Sequence, residues 1–80
     1  MTKAAKYKIA ELFSNARRGE WFSNEDVLTM IDSPVSLKTV QNVTAGLKSN
    51  GGLRSRKSGS ITEYTKVSKT AVAEAQEFIF

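Results

Sequence analysis

The fold is decided by the stretch VSLKTVQNVTAGLKSNGGLRSRKSGSITEY, which runs from Val35 to Tyr64. Ser36 belongs to the residue types that cap helices, and the apolar residues after it recur at spacings of three and four. Two glycines follow Asn50, and glycine readily accepts the left-handed conformation that ends a helix. The pattern therefore predicts a helix over Leu37 to Ser49.

Two strands joined by a turn are predicted after this helix. The strand signals are Leu53 to Arg56 and Ile61 to Val67, and Lys57 to Ser60 supply the polar and glycine residues of a turn. The apolar residues of the second strand do not alternate strictly, which predicts a β-bulge or a shorter strand. The hairpin is accordingly expected to be irregular.

Two helices are predicted before the quoted stretch. Periodic apolar residues indicate a first helix over Lys3 to Ala16. Glu20-Trp21-Phe22 form a brief extended segment, whose two aromatic residues we assign to the core in preference to a partner-binding pair. Ser23 is typical of an N-cap, and it opens a short second helix over Asn24 to Ile31. The segment Asp32-Ser33-Pro34 ends that helix, because the residue before proline is disfavoured in helical geometry.

A last helix is predicted over Lys69 to Ile79, with Ser68 as its cap. It carries an apolar stripe that serves either to cover the core or to form a homodimer seam. The stripe consists of Val72, Ala75, Phe78 and Ile79.

Composition narrows the class of protein. A chain of 80 residues, 40% of them hydrophobic, suits a single domain over residues 1–80. Cysteine and histidine are both absent, which removes disulfides, most zinc sites and the common nucleophile-base pairs. We therefore expect no catalytic residue, no metal and no cofactor. No apolar run is long enough for a membrane span, so a soluble, cytoplasmic protein is expected.

Charge is distributed unevenly along the chain. Residues 33–69 contain seven lysines and arginines against one acidic residue, net +6, whereas residues 1–32 are balanced. Such clustering is typical of proteins that bind a polyanion. The sequence thus predicts a nucleic-acid partner.

The order of helix, short strand, helix, turn, helix, hairpin and helix predicts an α+β fold with a winged helix-turn-helix. Residues 35–64 also resemble the recognition helix and wing of MarR-type transcriptional regulators: a Ser-started helix ends in leucine, polar residues and glycine, and an arginine-bearing hairpin returns to tyrosine. The resemblance implies a regulator of bacterial or phage type that binds double-stranded DNA. Gly46 and the double glycine depart from the family pattern.

The predicted recognition surface combines one side of the third helix with the basic wing. Gln and Asn can pair with adenine and Lys with guanine, whereas wing cations would contact phosphate or the minor groove. The predicted DNA-binding residues are Ser36, Lys38, Thr39, Gln41, Asn42, Lys48, Arg54, Arg56 and Lys57.

Two other functions fit the same residues. The charged hairpin can be a solvated edge that resists aggregation, and the polar helix side can be an ordinary exposed face. The domain would then be a protein-interaction module for a transcription or replication protein. Binding of structured RNA is the other alternative.

Overall fold

The computed structural model describes residues 2–31 and 34–79. In these residues the chain forms an α+β fold of four helices and a three-stranded antiparallel sheet, which confirms the predicted class and order of elements. None of these helices is long and apolar enough to cross a membrane. Asp32 and Ser33, which were predicted to end the second helix, lie outside the described residues. The elements are α1 (Thr2–Asn15), β1 (Phe22–Ser23), α2 (Asn24–Met30), α3 (Leu37–Ser49), β2 (Leu53–Ser58), β3 (Ile61–Lys66) and α4 (Lys69–Gln76).

Side-chain caps define where the middle helices begin. Ser23 and Asp26 form a reciprocal capping box at the start of α2, with hydrogen bonds of 3.0 and 3.1 Å. Ser36 accepts the Thr39 N–H at 3.2 Å and opens α3, whose bounds are those predicted. Each cap satisfies an amide that has no partner within its helix, so these starts are set by local sequence.

The sheet has the order β1-β3-β2, and its hairpin is more regular than predicted. Pairing runs without interruption from Leu53 opposite Lys66 to Ser58 opposite Ile61, so the turn predicted to begin at Lys57 is wrong. Of the two alternatives for the second strand, the bulge is wrong and the shorter strand is confirmed, because β3 ends at Lys66, one residue before Val67. Gly59 adopts φ +67°, which allows a two-residue turn. The apolar residues of β3 do not alternate strictly because Ile61 is 48% exposed, and not because an extra residue is inserted into the strand.

The core lies between the inner face of the sheet and the four helices. Phe13 of α1 meets Phe22 of β1 edge to face, with ring centroids 5.7 Å apart. Phe22 is therefore a core residue, as predicted. The fully buried side chains of largest volume are Phe13, Ile9, Leu47, Val27, Val40, Val72 and Thr44.

Two of the unusual glycines let α4 approach closely. A Cβ on Gly46 would lie 3.1 Å from Ile79 Cγ1, and a Cβ on Gly52 would lie 2.8 Å from Ala75 Cβ. Gly51 has a different role, because it ends α3 at φ +84° with open space around it. The double glycine thus combines a helix stop with a packing contact.

The apolar stripe of the C-terminal helix covers the core of its own chain. Val72, Ala75 and Ile79 are all at least nine-tenths buried, and α4 ends at Gln76 instead of Ile79. These three residues are not available for the homodimer seam that the sequence left open. Phe78 alone of the stripe is exposed, at 67%.

Candidate nucleic-acid interface

Helix α3 has one buried and one exposed side, as its sequence predicts. Val40, Val43, Thr44 and Leu47 are buried. The exposed residues of the helix are Lys38, Gln41, Asn42, Ala45, Lys48 and Ser49. Four of the predicted DNA-binding residues, Lys38, Gln41, Asn42 and Lys48, therefore reach solvent.

A buried hydrogen bond ties α3 to the start of α2. Thr44 Oγ1 donates to Asn24 Oδ1 at 2.6 Å, and the same hydroxyl lies 3.0 Å from the Val40 carbonyl oxygen. Thr44 is fully buried and Asn24 is half-buried, so the contact is shielded from water on the side of Thr44. The sequence analysis missed Asn24 as a residue that orients α3. A threonine within an apolar stripe was the available signal.

The hydroxyls at the start of α3 are engaged with each other. Ser36 Oγ and Thr39 Oγ1 lie 3.1 Å apart, and Ser36 Oγ also accepts the Thr39 amide. Ser36 is exposed and Thr39 is half-buried. These two predicted DNA-binding residues thus build the helix start, next to the exposed Lys38.

The hairpin separates its basic residues onto two faces. Successive residues of a strand point to opposite sides, so Arg54 and Arg56 lie on the outer face of the sheet and Lys57 on the other. Lys57 pairs with Thr62, and Thr62 lines a groove together with residues of α3. Lys57 therefore belongs to the side of the hairpin that faces α3.

Arg56 is held against the sheet by two partners. Its Nε donates to Glu63 Oε1 at 2.9 Å, and its guanidinium carbon lies 4.1 Å from the centroid of the Trp21 ring. Trp21 is half-buried and is not among the core residues, so its predicted place in the core is wrong. The aromatic ring instead supports an arginine on the outer face.

Not all of the positive charge is available to a partner. Lys66 Nζ donates to the Ser14 carbonyl oxygen at 2.9 Å, where it meets the negative end of α1. Arg56 is paired with Glu63. Within residues 2–31 and 34–79, no hydrogen bond or ion pair engages the side chains of the exposed residues Lys38, Lys48, Arg54 and Lys57.

A groove brings α3 and the hairpin tip together. Leu37 and Gln41 line it from α3, and Ser60, Ile61 and Thr62 line it from the hairpin. The start of α2 forms the remaining side, through Ser23, Asn24 and Glu25. The first half of α3 and the tip of the hairpin thus form one continuous surface.

Comparison of the chain with protein-family models, with curated proteins and with solved structures found no match. The resemblance of residues 35–64 to MarR-type regulators therefore stays a prediction. The functional argument rests on the surface formed by α3 and the hairpin.

Proposed function

We propose that this chain is a winged-helix domain that binds double-stranded DNA, with α3 in the major groove and the β2–β3 hairpin against the backbone. The observation that carries the proposal is the groove that joins Gln41 of α3 to the Ser60–Thr62 side of the hairpin. Its lining includes Glu25 and no lysine or arginine, so it joins the polar helix to the uncharged tip of the hairpin, and Lys57 is next to it through its pairing with Thr62. A helix and an adjacent hairpin are the parts that such docking uses.

The exposed side of α3 has suitable chemistry for reading bases. The side-chain amides of Gln41 and Asn42 can each form two hydrogen bonds with adenine, and Lys38 can donate to guanine. A major groove about 12 Å wide admits one α-helix. The hydrogen bond between Thr44 and Asn24 ties the buried side of α3 to the start of α2. The base-reading side chains on the exposed side of α3 therefore project from a helix whose position is fixed.

Basic residues around α3 provide the attraction to phosphate. Lys38, Lys48 and Lys57 are exposed without an intrachain ion pair in the described part of the chain, and Arg54 extends this set on the outer face. Each phosphate that such a cation neutralises releases counterions. The logarithm of the binding constant should therefore fall linearly with the logarithm of the salt concentration, and each contact adds about 0.9 to the steepness of this slope.

Fluorescence anisotropy with a labelled DNA duplex, titrated at several salt concentrations, tests binding. Lys38→Gln and Lys57→Gln should each reduce the slope by about 0.9. Arg18→Gln is the matched control, because Arg18 is exposed in the turn between α1 and β1 and removes the same charge outside the proposed surface. Equal effects of all three variants would show that only net charge matters, and the interface would be wrong.

Selection of bound fragments from a random duplex pool tests base reading. Asn42→Ala should relax the preference at one position, where a bidentate contact discriminates by about 1–3 kcal/mol. Competition with RNA duplexes of matched length separates the RNA alternative. An absence of duplex binding at low salt, with a stable complex to a transcription or replication protein, would overturn the proposal in favour of a protein-interaction module.

A further inference from the structure

Trp21, Arg56 and Glu63 form a clamp across the outer face of the sheet, and we propose that Arg56 positions the hairpin and does not contact the polyanion. The inference rests on the proposed function, which it refines by assigning different roles to Arg56 and to its neighbour Lys57. The clamp joins β2 and β3 to the residue that precedes β1.

The strand register shows why the arginine lies flat. Arg56 pairs with Glu63 of the central strand, and Glu63 pairs in turn with Ser23 of β1. Neighbouring strands are about 4.8 Å apart, so a side chain from β2 must cross β3 to reach Trp21. A guanidinium at 4.1 Å from the Trp21 ring is therefore directed along the sheet surface instead of outward.

The clamp fixes β1, the strand of the sheet that has the fewest paired residues. Strand β1 contains only Phe22 and Ser23, so few backbone hydrogen bonds hold it to β3. Arg56 adds a side-chain connection between β2 and this segment. This connection adds to the hydrogen bond of 2.6 Å from Thr65 Oγ1 to the Glu20 carbonyl oxygen, which ties β3 to the same segment, and β1 leads directly into α2.

Electrostatics opposes a phosphate contact by Arg56. Its charge is balanced by Glu63, whose carboxylate accepts from Nε at 2.9 Å. A phosphate that approached the same guanidinium would also approach this carboxylate, and like charges repel. Lys57 has no such partner among the described residues, and it lies on the face toward α3.

The chemistry of arginine suits the clamp. Its planar guanidinium can stack on an indole while Nε donates to a carboxylate, whereas the ammonium of lysine is a point charge. A lysine at position 56 would keep the charge and lose the stacking. The substitution Arg56→Gln separates the two roles, because it removes the charge: a phosphate contact would lower the salt slope by about 0.9, whereas a positioning role leaves the slope unchanged.

The first test compares neighbouring residues in the duplex titration. Arg56→Gln should leave the salt slope unchanged, because Arg56 neutralises no phosphate, and Arg56→Lys should leave it unchanged as well. Lys57→Gln should reduce the slope by about 0.9, and Lys57→Arg should restore it. The inference is overturned if Arg56→Gln lowers the slope by about 0.9.

The second test needs no DNA and reads the clamp directly. Trp21 is the only tryptophan of the chain, so the tryptophan band of the near-UV circular dichroism spectrum reports its surroundings alone. Arg56→Lys and Glu63→Gln should both reduce this band, and Lys57→Gln should leave it unchanged. An unaltered band in both clamp variants would overturn the inference. If the parent chain does not bind duplex DNA, the proposed function fails, and the spectrum still decides whether the clamp exists.

Discussion

Replacing Gly52 by alanine tests how closely α4 packs against the end of α3. Gly52 does not adopt a positive φ, so without a steric contact alanine would stabilise the fold by about 0.4–1 kcal/mol through the unfolded chain. The added Cβ would instead lie 2.8 Å from Ala75 Cβ and within 3.3 Å of the Leu47 and Ala71 carbonyl oxygens. Two of these three neighbours are backbone atoms and cannot rotate away.

The expected result is a loss of stability. Overpacking of this kind costs about 1–3 kcal/mol, so Gly52→Ala should lower the free energy of unfolding by about 1–2 kcal/mol after the unfolded-state gain is subtracted. Urea unfolding followed by circular dichroism measures it, with an unchanged m-value as the sign that only stability has changed. In a domain of this size each kcal/mol corresponds to about 4–8 °C of melting temperature.

Gly51 supplies the matched control for this prediction. It adopts φ +84° with no neighbour near its Cβ position, so Gly51→Ala costs about 1–2 kcal/mol through backbone strain alone. Asparagine tolerates that conformation and should recover part of the loss at position 51, but it should be worse than alanine at position 52. A Gly52→Ala variant as stable as the parent, or more stable, would refute the close packing at this position.

Three further substitutions are checked by the same urea titration. Thr44→Val should cost about 0.5–1.5 kcal/mol, the net value of one hydrogen bond, because half-buried Asn24 loses the donor it has at 2.6 Å; an unchanged stability would mean that this bond does not hold α3. Ser36→Ala should cost about 1 kcal/mol and Ser36→Asp little, since aspartate also caps; equal losses would contradict the cap. Gly46→Ala should be nearly neutral, because a helix-propensity gain of about 1 kcal/mol offsets the displacement of the Ile79 side chain 3.1 Å away; a loss as large as that of Gly52→Ala would contradict it.

Helix α3 could be predicted from sequence because its signals are local. The Ser36 cap, the apolar spacing and the glycine at φ +84° all lie within or beside the helix. The hairpin turn could not be placed, because Lys57 and Ser58 are as polar as turn residues and become strand only through pairing with Thr62 and Ile61. That pairing depends on register, which composition does not reveal.

The exposed residues of the candidate site followed from helical phase, whereas the roles of its arginines did not. Trp21 was predicted to be a core residue because aromatic side chains usually are. Its actual partner, Arg56, lies on another strand of the sheet. Likewise, Asn24 and Thr44 are 20 positions apart, so their hydrogen bond exists only after α2 and α3 have packed. Contacts across such separations require the folded chain.

The position of α4 has a consequence for synthesis of the chain on the ribosome. Helix α4 packs against α1, α3 and β3 and supplies Val72 and Ala75 to the core, and the Lys6 side chain donates to the Ile79 carbonyl across 73 positions. A nascent chain that ends before Ser68 has no side chains to cover the sides of α1 and α3 that α4 contacts. Small domains fold as cooperative units, so native structure should form only once α4 has left the exit tunnel. Until then the apolar faces of α1 and α3 would be exposed to chaperones.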